Sequence, residues 1–167
     1  MRRTLQSLAV SLLVSSAVPG AQAQADPAPP SILTGIELWL VANYGFAPAN
    51  APPALAFATD RWLVETRYGT ATAVAPGDVV AVYDDASGTI HLGETWRGDT
   101  AADLSVLVHE YVHHLQAEAG LRFACSGERE VLAYEAQDAW LRLFGSDLKS
   151  AFGIDGALLL VSTACTY

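Results

Sequence analysis

In "LVHEYVHHLQ", residues 107–116, His109 and His113 stand four positions apart, with Glu110 directly after the first. On a helix that spacing stacks two imidazoles one turn apart, where both can reach a single metal ion. Glu110 is offset from the pair, so its carboxylate can reach a water on the ion rather than the ion itself. His114 lies about 140° round the helix from His109. The two cannot comfortably share a metal, and His114 reads as a surface or rim residue. His91 reads as structural, with a cleft-lining position as the alternative.

Two histidines leave a zinc site incomplete, because a catalytic site wants three protein ligands and one open position. Gln116 stands where the metzincin pattern would put its glycine and Ala119 where it would put a third histidine ligand, so that solution is excluded. The segment "CSGEREVLAYEAQDAWLRLFG" (125–145) offers Glu128, Glu130 and Glu135 instead. Helical phase puts Glu128 and Glu135 with Asp138 and Arg142 on a polar side. Glu130 falls in line with Tyr134, Gln137, Leu141 and Phe144. An acid on a buried face needs a cation or a metal, which favours Glu130 as the third ligand. Glu135 and Glu128 remain the alternatives, and Glu128 has a second use in the first turn against the helix dipole.

The elements that must carry these residues follow from pattern. Leu104, Leu107, Val108, Tyr111 and Leu115 form an apolar stripe, with His109 and His113 about 140–180° away from it. A helix is predicted from a cap at Asp99 or Thr100, with Asp103 in its first turn, to about Ala119, where Gly120 stops it. A second helix is predicted from Ser126 to near Gly145, and two short helices close the chain, the last from near Asp155. Upstream, "SILTGIELWLVANYG" predicts a helix capped by Ser31 and stopped by Gly45. "ALAFA" (54–58) predicts a short strand, and Thr59 caps a short helix over 59–69. "DVVAVYD" and "TIHLGE" with "DASG" between them predict a β-hairpin.

The frame is one domain. Arg2, Arg3, an apolar run and the small residues at 21–25 read as a signal peptide over residues 1–23, with cleavage after 25 an equal register. Residues 24–30 form a Pro-rich lead-in, and 31–167 the domain. Loss of Arg2 and Arg3 would leave seven basic residues against eighteen acidic ones, a net charge of −11. An acidic surface without a Lys/Arg cluster excludes nucleic acid and anionic membranes as partners. The two cysteines, Cys125 and Cys165, predict one disulfide after export to the periplasm or beyond. A reduced cysteine ligand is the weaker alternative.

"HEYVH" and "EVLAY" together resemble the zincin metallopeptidases of the Glu-ligand (gluzincin) branch, and the layout is similar to short secreted bacterial HExxH proteins of unassigned substrate. The resemblance covers about residues 78–145. It implies an α+β fold: a small zincin-like domain with a β-hairpin or short sheet, an HExxH helix and a following Glu-bearing helix. It implies zinc held by His109, His113 and Glu130, with Glu110 as general base toward a zinc-activated water. The family's supporting aspartate falls at Tyr134, a candidate to hydrogen-bond a ligand or stabilise the transition state. Tyr111 and His91 are further candidates for the oxyanion, although Tyr111 lies on the apolar stripe and reads as packing. "GTIHLGETW" (88–96) resembles the zincin edge strand that pairs with extended substrate. The implied partner is a peptide or protein substrate, with no membrane after signal cleavage. The alternatives are a zinc-binding protein without turnover and a zinc hydrolase of a non-peptide amide.

Overall fold

A computed structural model of the protein describes residues 30–70 and 72–165. The signal-peptide reading, and the lead-in up to residue 29, lie outside them. Helix α1 spans Pro30–Tyr44, strand β1 Ala54–Ala58 and helix α2 Asp60–Tyr68. The hairpin strands are β2 (Ala81–Asp84) and β3 (Thr89–Gly93). Helices α3 (Ala101–Glu118), α4 (Ser126–Leu143), α5 (Leu148–Phe152) and α6 (Gly156–Thr163) complete an α+β domain. No helix among the described residues is long and apolar enough to cross a membrane.

Local chemistry sets the boundaries. Thr59, Thr100 and Asp155 each turn a side-chain oxygen onto a free backbone N–H at the start of α2, α3 and α6. Helix α1 begins at Pro30, one residue before Ser31, as suits a residue with no N–H to lose. Gly120 follows α3 at a φ of 62°, which a side chain would strain.

The sheet order is β1-β3-β2, with β1 parallel and β2 antiparallel to β3. This corrects the expectation for residues 88–96. Strand β3 is the middle strand, because β1 returns through α2 and takes its far side. The edge beside α3 is β2. Helix α3 is wrapped by the sheet, α1 and α4, so every residue from Ser105 to Gln116 is buried. Its apolar stripe fills the core with Leu33, Ile36, Leu40, Ile90 and Leu92. The opposite face, which carries the histidines, is covered too.

Cys125 and Cys165 are joined, which ties the end of the chain to the start of α4. The contact beneath the bridge is close. A Cβ on Gly127 would lie 2.8 Å from the Thr163 carbonyl oxygen and 2.9 Å from that of Ala164. Both obstacles are backbone, held by the disulfide, so neither can swing away. Gly127→Ala should therefore destabilise the domain by about 1–3 kcal/mol, the usual cost of overpacking, despite the better helix propensity of alanine. Chemical denaturation of oxidised protein measures it, and a stability equal to or above the parent's would show that the tail can move aside.

Candidate metal centre and its cleft

The elements bring His109, His113 and Glu130 to one point. The two imidazoles stack one turn apart on α3, with ring centroids 4.9 Å apart at 80°. Glu130 reaches them from α4: its Oε2 lies 3.1 Å from His109 Nε2 and 3.5 Å from His113 Nε2. All three residues are buried, and their ligand atoms lie within 4.8 Å of one another. Two imidazole nitrogens and one carboxylate oxygen, converging where water is scarce, suit a divalent cation. Burial alone would raise the Glu130 carboxyl, yet its hydrogen bonds to the two histidines hold it well below the usual carboxylate range. Glu128 and Glu135 are exposed and lie outside the cluster.

Each histidine is oriented by a glutamine. The His109 Nδ1 lies 3.0 Å from Gln137 Oε1, and the Gln137 amide donates to Ser105 Oγ at 3.3 Å. Ser105 spends its own proton on the Ala102 carbonyl, so the amide orientation is fixed. The His113 Nδ1 lies 3.0 Å from Gln116 Oε1, whose amide nitrogen donates to the Arg129 carbonyl. Toward His109, the Gln137 oxygen suits the Nδ1–H tautomer, the one whose Nε2 could take a cation shared with Glu130. The Arg129 Nε–H donates to His113 Nδ1 at 3.1 Å, on the same nitrogen that faces Gln116, and its two terminal nitrogens grip Asp85. That grip ties the β2–β3 turn to α4.

Removing the Gln137 acceptor should weaken metal binding without touching a ligand. Gln137→Leu is expected to lose about 10- to 100-fold in zinc affinity, the usual cost of an orienting partner. Competition with a chromogenic chelator reads the change. An unaltered affinity would mean that packing alone aligns His109.

Glu110 is buried beside the cluster. The backbone N–H of Tyr83 on β2 donates to its Oε2 at 2.8 Å. Burial pushes the Glu110 carboxyl above its ordinary range, and His109 pulls in the other direction. A cleft of about 400 Å³ opens here, lined by β2, by Arg67 at the end of α2, and by His109, Glu110, His113, Arg129 and Glu130.

Tyr134 does not make the hydrogen bond that its position suggests. Its ring packs against His109, with centroids 4.7 Å apart, and its phenol is pushed up to about 12 by burial and by Glu130. It lines a separate groove between α4, α5 and α6, so the orienting partner is Gln137, one helical turn later. Tyr111 is packed in the core. His91 stacks on Trp62, outside the cleft lining. His114 is the other correction: it is buried, because β2 and the loop after α1 cover that side of α3. Its Nε2–H donates to the Ala51 carbonyl at 2.9 Å, and its Nδ1 faces the Tyr83 hydroxyl at 3.1 Å.

A family model described as a domain of unknown function (DUF6647) matches residues 24–167. No curated protein and no solved structure matches the chain.

Proposed function

We propose that this chain, which belongs to the DUF6647 family, is an exported zinc-dependent peptidase of the gluzincin type. The observation that carries the reading is the convergence of His109 Nε2, His113 Nε2 and Glu130 Oε2, with Glu110 buried at their side in the same cleft. Imidazole and carboxylate ligands in a three-residue set suit zinc. The Cys125–Cys165 bridge supports an oxidising compartment.

Zinc held there would supply Lewis acidity, lowering the pKa of water and polarising a carbonyl. The chain's own groups do the rest. Glu110 is held by the Tyr83 N–H, which fixes its carboxylate without protonating it. It takes the proton from the attacking water and returns it to the departing amine. Glu130 balances positive charge, and Gln137 holds the His109 ring so that its Nε2 faces the cluster.

A zinc-binding protein without turnover is the rival reading. It gives no reason for an acid at position 110 in particular: the Tyr83 N–H offsets part of the desolvation cost, but an uncharged acceptor would serve that N–H as well. Hydrolysis of a non-peptide amide would use the same groups. The test is mature protein reconstituted with zinc and offered a mixed peptide library. About one zinc per chain is expected, with cleavage that stops under chelator and returns with zinc. Failure to bind any metal would end the proposal, and cleavage indifferent to chelator would end its mechanism. Stoichiometric zinc without cleavage of any amide would favour the rival.

A further inference from the structure

The cleft holds two guanidinium groups of opposite standing. Arg129 has its nitrogens committed to Asp85 and His113. Arg67 makes one ion pair, from Nη2 to Glu130 Oε1 at 3.2 Å, and no hydrogen bond to any described residue. Its side chain is 33% exposed and lines the cleft. The guanidinium lies 5.2 Å over the Tyr68 ring, which supports one face, while among the described residues Glu130 engages Nη2 alone. Glu130 also divides its two oxygens, Oε2 toward the histidines and Oε1 toward Arg67. Arg67 therefore stands across the carboxylate from the reacting centre rather than within it. A cation shared by His109, His113 and Glu130 would draw on the Glu130 charge and leave Arg67 with even less of a partner.

We infer that Arg67 is an anchor for a substrate carboxylate, so that the cleft takes peptides carrying a free carboxylate close to the bond cut. The inference rests on the hydrolase reading for its direction, but a carboxylate site can be measured without turnover. An open guanidinium fork matches a carboxylate through two parallel N–H donors. In a chain with eighteen acidic residues against nine basic ones, an anionic substrate is repelled by most of the surface. A placed arginine at the site would offset that repulsion where it matters. The carboxylate can be a peptide's C-terminus or an acidic side chain, and both present the same two oxygens.

The test uses zinc-loaded Glu110→Gln protein, to prevent turnover, with Arg67 intact or changed to Gln or Lys, zinc content being verified for each. Acetyl-alanyl-alanine, its C-terminal amide and acetyl-glutamyl-alanine amide are titrated by NMR. A carboxylate-bearing probe should bind about 10- to 100-fold more tightly than the neutral amide, the range of one charge-assisted pair. Arg67→Gln should erase the preference, while Arg67→Lys should keep part of it. Preference for the free acid would identify a C-terminal carboxylate, and preference for the glutamyl amide a side chain. A preference that survives Arg67→Gln would assign the carboxylate to the metal and overturn the inference, as would equal binding of all three probes to the Arg67 protein. If the wild type cleaves no peptide while the preference holds, the hydrolase reading fails and the anchor stands.

Discussion

Glu110→Gln should fold, bind zinc with the parent's affinity and lose hydrolysis by about 100- to 10,000-fold, the contribution expected of a positioned base. The substitution keeps the shape of the side chain and an oxygen that can still accept from the Tyr83 N–H, so the link to β2 survives. Glu110 is absent from the ligand cluster, so metal affinity has no reason to change. What disappears is a group that can take and return a proton. Thermal melts, zinc titration and kcat/KM on one preparation separate the three quantities. Full activity on a substrate that the parent cleaves would remove Glu110 from the chemistry, however well the histidines bind metal.

Glu130→Gln should act on the other side of that division, with zinc affinity falling by about 100-fold or more, beyond the 10- to 100-fold range of an orienting partner. A neutral amide replaces a charged carboxylate, and Arg67 loses its anionic partner. The folded domain sheds the desolvation cost of Glu130 but also its ion pairs with Arg67 and the histidines, so the metal-free variant should melt at or slightly below the parent's metal-free temperature. Glu128→Gln and Glu135→Gln are the controls. Both residues are exposed, and among the described residues Glu128 accepts from the Ala124 N–H, a bond that glutamine can keep. Metal binding that fails in Glu135→Gln and survives in Glu130→Gln would reassign the third ligand.

Much of this candidate site was legible because His109, His113 and Glu130 lie on two long helices. Period alone separated Glu130 from Glu128 and Glu135, and Gln137 already stood in line with Glu130 on the buried face of α4. The supporting groups were harder to read. Gln116 registered only as a residue that was not glycine, since a side-chain amide gives no sign of which ring nitrogen it will meet. Arg67 comes from α2, 63 positions before Glu130, and nothing in a local pattern announces that approach. His114 was misread for a similar reason. Helical phase places a residue on a face, but what covers that face depends on β2 and a distant loop. The parallel pairing of β1 with β3 was also invisible, because a five-residue apolar strand does not name its neighbour.

The Tyr83–Glu110 hydrogen bond also bears on self-association. An edge strand exposes unpaired N–H and C=O groups on which a second chain can pair. Strand β2 is only four residues long, and the buried Glu110 occupies the N–H of its third. The carboxylate proposed as the base thus also blunts the sheet edge. Alanine at 110 would release that N–H and open space beside it, turning a guarded edge into a pairing template. Glutamine leaves the edge closed. Of the two inactive variants, glutamine is the one to use for trapping a substrate, because a chain captured by the alanine variant could as well be another copy of the protein itself.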